Sequence, residues 1–215
     1  MSGTLYAGAS GFSYPTWKPG WYPADAKPEE FLGLYAARLP SVELNTTGYR
    51  LPGEAQFERW AGQTPPGFHF AVKMPPRRLD GLPTFEERVR RLGDRLGAIR
   101  VVLERPRDDG WLTLFLGSRD PSLRYALDLR DSTWDGVEER LAEEGVVRVD
   151  DVTAPAAFRY LRYREPPYDE AALAGFATQA RELLERGEDV YAYFRHEDEP
   201  TAPRYAERLV ALVAG

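Results

Sequence analysis

The chain has 215 residues, of which 43% are apolar and 29% charged, an ordinary globular composition. No apolar run approaches the roughly 18 residues that a spanning helix needs, and the start MSGTLYAGASG lacks the basic, apolar pattern of a secretory leader, so a cytoplasmic location is expected. There is no cysteine, which excludes disulfides, thiol nucleophiles and cysteine-ligated metals, and His69 and His196 are the only imidazoles. A net charge of -6 argues against a membrane-binding or sequence-blind nucleic-acid surface, so any anion binding must be local.

In chain order, strands are expected at Leu5–Ser10, Ser41–Asn45, His69–Met74, Ala98–Glu104, Arg124–Arg130, Val146–Asp151, Phe158–Arg164 and Asp189–His196. Helices are expected at Pro28–Leu39, Glu54–Gly62, Thr84–Leu96, Trp134–Glu144, Tyr168–Arg186 and Ala202–Val213. Thr84 with Glu87 has the spacing of a capping box, and Pro28 with Glu29 and Glu30 suits a first turn. The connections after the fourth and sixth strands look short, with abbreviated helices. Eight strands alternating with helices predict an α/β fold, a single TIM-like (β/α)8 barrel occupying residues 1–215 as one domain. An open doubly wound sheet is the alternative. The first loop, Gly8-Ala9-Ser10-Gly11-Phe12-Ser13, lacks both a dinucleotide fingerprint and a Walker lysine.

Strand side chains alternate faces, so parity selects the residues that share the interior. It points Glu43, Asn45, Ala71, Lys73, Asp128, Arg130, Arg148, Asp150, Arg162, Arg164, Tyr193 and Arg195 inward, toward the C-terminal strand ends where barrel active sites form. Lys73 is one of only three lysines, the others being Lys18 and Lys27. Such charges are either ion pairs that close the barrel end or a site for an anionic ligand such as a phosphate, a carboxylate or an acidic sugar. Loop aromatics surround them. Trp21 and Tyr22 read as packed capping rings, whereas Phe12, Tyr14, Trp17, Tyr49 and Trp134 suit either capping or stacking on a ligand.

Several segments together resemble the domain of unknown function 72 family, also called YecE-like. They are Gly8 to Tyr14 with Trp17 and Tyr22-Pro23, Val42 to Pro52, Pro66 to Lys73, Leu127 to Trp134, and Asp189 to Phe194. The resemblance implies a TIM-like barrel with no established activity or cofactor. The chain departs from the family pattern at Asp128-Leu129-Arg130-Asp131, where Glu-Phe-Arg-His is usual, and at Leu79-Asp80, where Thr-His is usual. It departs again at Arg162-Tyr163-Arg164-Glu165, usually Arg-Leu-His-Gly, and at Arg195-His196, usually two asparagines. Three family histidines are therefore missing.

The leading expectation is an acid/base enzyme, a hydrolase, isomerase or lyase, acting on a small anionic substrate without a cofactor or metal. Glu43, Lys73 and Asp128 are its candidate catalytic residues, with Glu43 and Lys73 as a reactive pair. Ser10, Tyr14, Trp17, Asn45, Tyr49, Arg130, Trp134, Arg162, Tyr193 and Arg195 are the candidate substrate contacts. Interleaved arginines oppose a divalent ion at Glu43, Asp128 and Asp150. A nucleic-acid-acting barrel and a noncatalytic binding barrel are the other readings. His69 is expected to be structural, while His196 suits either a ligand contact or an incidental replacement.

Overall fold

The computed structural model describes residues 2–75 and 79–215. Its strands are β1 (Leu5–Ala9), β2 (Ser41–Leu44), β3 (His69–Met74), β4 (Leu96–Leu103), β5 (Arg124–Leu129), β6 (Val147–Arg148), β7 (Phe158–Tyr163) and β8 (Asp189–Phe194). The helices are α1 (Phe31–Ala36), α2 (Glu54–Gly62), α3 (Leu82–Val89), α4 (Asp109–Ser118), α5 (Glu138–Glu143), α6 (Glu170–Glu185) and α7 (Thr201–Ala214). Every strand pairing is parallel, but the strands form two sheets, β1-β8-β7 and β2-β3-β4-β5-β6. The expected single eight-stranded closed barrel is thereby corrected.

Both interruptions have a local cause. Between β1 and β2 the Tyr35 hydroxyl intervenes, accepting from the Ala9 amide at 2.7 Å and donating to the Ser41 carbonyl at 3.0 Å. It supplies partners to backbone groups that would otherwise be buried unpaired. Gly8 permits this approach, since a Cβ there would lie 1.9 Å from the Ser41 carbonyl oxygen. At the other seam β6 is only two residues long, and Asp150 follows it with φ 68°, an uncommon conformation outside glycine that turns the chain out of the ladder.

The two sheets meet through a backbone hydrogen bond from the Asp150 amide to the Tyr160 carbonyl at 2.9 Å and through side chains, including a 2.6 Å hydrogen bond between the Ser41 and Tyr193 hydroxyls. An inner layer of Ala71, Ala98, Ala126, Val147, Val149, Phe158, Tyr160, Tyr191 and Tyr193 fills the space between them. The larger apolar cluster lies where the outward strand residues pack under the helices. Small residues on β3, β4 and β5 leave room for the tyrosines of β7 and β8, so large and small side chains interdigitate.

Helix α4 has no counterpart among the expected helices. Its start is marked by Asp108, whose carboxylate accepts from the Trp111 amide at 2.8 Å. The predicted capping box does not form, because α3 already begins at Leu82 and Thr84 lies inside it. Among the described residues no helix is long and apolar enough to cross a membrane.

Candidate functional site

Inward charges from β2, β4, β5 and β7 converge at the C-terminal strand ends. Glu43 on β2 is fully buried; its Oε1 accepts from Arg100 at 3.1 Å and from the Tyr160 hydroxyl at 2.6 Å, and its Oε2 accepts from Arg162. Asp128 on β5 is also buried and binds Arg100, Arg164 at 3.0 Å and Arg130 at 2.6 Å. Arg100 on β4 bridges the two carboxylates and reaches the Asn45 amide oxygen at 3.4 Å.

Electrostatics fix the charge states. Burial pushes the Glu43 carboxyl up, but Arg162 and Arg100, with the Tyr160 hydrogen bond, hold it below the ordinary carboxylate range. Asp128 follows the same pattern, with burial opposed and outweighed by Arg100 and Arg164. Both are anions near neutral pH, and guanidinium groups occupy their oxygens. Asp150 joins from the seam, accepting from the Arg162 amide at 2.6 Å and binding Arg164. Four arginines thus face three carboxylates, and the buried Nε atoms of Arg162 and Arg164 have no partner among the described residues.

The remaining candidates separate by depth. Lys73 shares the inward parity of Ala71 but rises to the rim, where its Nζ lies 4.4 Å over the Tyr49 ring and 3.3 Å from its hydroxyl. Gly48 makes room for it, since a Cβ there would stand 2.7 Å from the lysine stem. The expected pairing of Lys73 with Glu43 does not occur: strand rise lifts the ammonium to the rim, while Arg100, Arg162 and Tyr160 occupy the carboxylate. Tyr49, 82% exposed, and Lys73 line a cavity of about 680 Å³ with Pro75, Glu104 and Arg105.

Trp17 and Trp134 are fully buried, their indole N–H groups donating to the carbonyls of Glu197 and Arg105, so both are packing residues of loops under the rim. Tyr193 is likewise enclosed, on Ser41, while Arg195 is exposed beyond the end of β8. Ser10, Tyr14 and His196 form a second group at the mouth, with the Tyr14 and His196 rings stacked at 4.7 Å.

Arg148 points away from the interior, onto Asp135 and Glu138, because Val147 and Val149 are the inward residues of that segment. Arg100 and Tyr160 were not among the candidates although they hold Glu43. The signal for Arg100 was available: in Ala98-Ile99-Arg100-Val101-Val102-Leu103 it is the one charge on the face shared with Ala98. Among the described residues no group of three or more His, Asp or Glu side chains is placed to hold a metal ion.

The model of the protein of unknown function family DUF72 matches residues 6–215. The chain belongs to the DUF72 family. Of solved structures, a DUF72 family protein from Thermotoga maritima is similar at 24% identity with a TM-score of 0.83, over 99% of this chain and 100% of that one. A DUF72 family protein from Enterococcus faecalis is similar at 16% identity and 0.80, over 99% and 98%. A methyltransferase from Methanosarcina mazei shares the fold more distantly, at 12% identity and 0.57, over 99% and 93%. The comparison with curated proteins finds no match. At these identities the likeness concerns the fold, and the chemistry of this DUF72 chain has to be argued from its own residues.

Proposed function

We propose that the C-terminal mouth is a site for a small anionic molecule, of the phosphorylated or acidic-sugar class, and that the protein is an enzyme acting on it. One observation carries the reading: four guanidinium groups converge where three carboxylates only partly answer them. A buried donor without a partner costs about 1–3 kcal/mol, so the free Nε atoms of Arg162 and Arg164 favour an added acceptor. Arg130, 39% exposed, Arg164 at 22%, and the rim residues Lys73 and Arg195 extend the positive field to solvent.

In this arrangement Glu43 and Asp128 hold the arginine fork in place, which is the geometry that planar, bidentate recognition of an oxyanion requires. As low-pKa anions they also suit the role of electrostatic partner to a substrate cation or a developing positive charge. Proton transfer by Glu43 would require ligand binding to draw Arg162 away from it.

The test is a thermal-shift and calorimetric titration with inorganic phosphate, sulfate and sugar phosphates, with and without a chelator. Stabilisation that survives the chelator and weakens in Arg162→Gln supports the site. No stabilisation by any anion, or stabilisation only with a divalent ion, overturns it. A second reading, a single nucleic-acid strand along the rim, has the exposed Tyr49 beside Lys73 in its favour. It predicts affinity that falls steeply with salt over several phosphates.

A further inference from the structure

We infer that His196 is a binding residue of the mouth, presenting a neutral Nε2–H donor to the bound oxyanion, with Ser10 as the positioning residue that selects this tautomer. The inference rests on the anion reading above and adds to it the donor that would distinguish one anion pose from another.

Ser10 directly follows β1 and is fully buried, while His196 lies just past the end of β8. The Ser10 hydroxyl oxygen accepts the His196 backbone N–H at 2.9 Å with one lone pair and keeps its own proton, which we assign to Nδ1. The His196 Nδ1 stands 3.3 Å from that hydroxyl. With Nδ1 as acceptor the ring proton must reside on Nε2, which has no hydrogen-bond partner among the described residues.

The ring is held in place as well as oriented. Tyr14 stacks on it with an interplanar angle of 14°, and the Tyr14 hydroxyl is tied to the Ser10 carbonyl at 2.9 Å. One serine therefore fixes the imidazole's backbone, its Nδ1 and the neighbouring ring that covers its face.

The groups around the imidazole favour its neutral form. His196 as a whole is exposed, and the partial burial of its ring is the largest cause, followed by Arg162 and Arg195; these outweigh Asp198 and Glu43, so the ring sits below its ordinary value. Tyr14 has the opposite shift, pushed up to about 12 by burial and then by Glu43, against Arg162. Both rings lie within electrostatic reach of the Glu43–Arg162 pair, and Ser10 and His196 follow the C-terminal ends of β1 and β8, the end at which the arginines converge. At neutral pH the guanidinium groups and the Nε2–H all act as donors, which suits the oxygens of an oxyanion.

The test uses the full chain and inorganic phosphate as the probe. With only two histidines, nitrogen NMR of the imidazoles resolves both rings, and His196→Phe assigns them. Expected at pH 7 are a neutral His196 with its proton on Nε2, a shift of that nitrogen on adding phosphate, and affinity about three- to tenfold weaker in His196→Phe. His196→Gln, whose amide nitrogen falls near the position of Nε2, should retain most of the affinity. Ser10→Ala should mix the two tautomers. A proton on Nδ1 in the parent chain overturns the inference. So does phosphate binding, weakened by Arg162→Gln, that leaves the His196 ring and the His196→Phe affinity unchanged; the anion site then stands without this residue. Absence of any phosphate binding removes both.

Discussion

Arg159 and Arg162 lie three residues apart on β7 and are both buried, yet they are built into different kinds of surroundings. Arg159 faces outward and is answered completely. Its Nε and Nη2 meet Glu188 at 2.5 and 3.1 Å, and its remaining donors reach the carbonyls of Asp151 and Ala154. Arg162 faces inward into the shared network of Arg100, Glu43 and Asp128 and keeps an unpartnered Nε. One arginine with the Glu188 carboxylate, the Asp151 carboxylate farther off at 3.8 Å and local carbonyls is how a fold neutralises a single buried charge. A crowd of arginines around fewer carboxylates is less stable than it need be unless something else binds there.

The largest effect that would sharpen this contrast is expected from Arg100. Arg100→Met leaves Glu43 and Asp128 buried without their shared guanidinium and should lower stability by about 3–5 kcal/mol in urea unfolding at pH 7. Glu188→Gln leaves Arg159 with its carbonyl partners and should cost about 1–3 kcal/mol, with phosphate affinity unchanged. If Glu188→Gln proves the costlier of the two, the inward cluster is not the network described.

Much of this contrast can be read from strand parity, and the exceptions have physical causes. Alternation on β2, β5 and β7 correctly brings Glu43, Asp128 and Arg162 to one end. It fails at β6, where Val147 and Val149 take the inward face: Arg148 turns outward, and Asp150, which alternation would also send outward, reaches the arginines from a turn with positive φ. Arg100 was hidden by its neighbours, because a continuous apolar run reads as buried on both faces and draws attention away from its single charge. The two seams between the sheets are harder to foresee. Nothing in the spacing of Tyr35, on a helix, indicates that its hydroxyl will bridge two strands.

The opposite end of the inner layer offers a second comparison, made by pH. There His69 stacks on Tyr6 at 3.9 Å, its Nδ1 lies 3.0 Å from the Tyr191 hydroxyl, and Arg124 pairs with Asp189 at 2.8 Å. Burial, and then Arg124, lower the His69 pKa from 6.5 to about 4. The unfolded chain therefore binds more protons than the folded one between those values, and stability should fall as pH drops from 6.5 toward 4. For a ring this accessible to solvent the effect is on the order of 1 kcal/mol after screening. Glu43 and Asp128, also lowered, contribute stability that is present above their unfolded values and lost only at more acid pH. Urea midpoints from pH 7 to 4 should decline in the parent chain and be flatter in His69→Gln. An equal decline in both would place the titrating group elsewhere.

The smallest effect on stability is expected where the effect on binding is expected to be clear. Arg130 meets both oxygens of Asp128, but its side chain is 39% exposed, and Asp128 retains Arg100 and Arg164 without it. An ion pair this open to water contributes within about 1 kcal/mol, so Arg130→Gln should unfold close to the parent midpoint. Its head is among the cations of the mouth that solvent reaches, and phosphate affinity should fall severalfold with a shallower salt dependence. Calorimetric titration at two salt concentrations beside urea unfolding measures both quantities on one sample. A large stability loss with unchanged affinity would make Arg130 resemble Arg159, a charge neutralised for the fold alone. The mouth would then be a capped end of the inner layer, and the surplus of arginine would need another explanation.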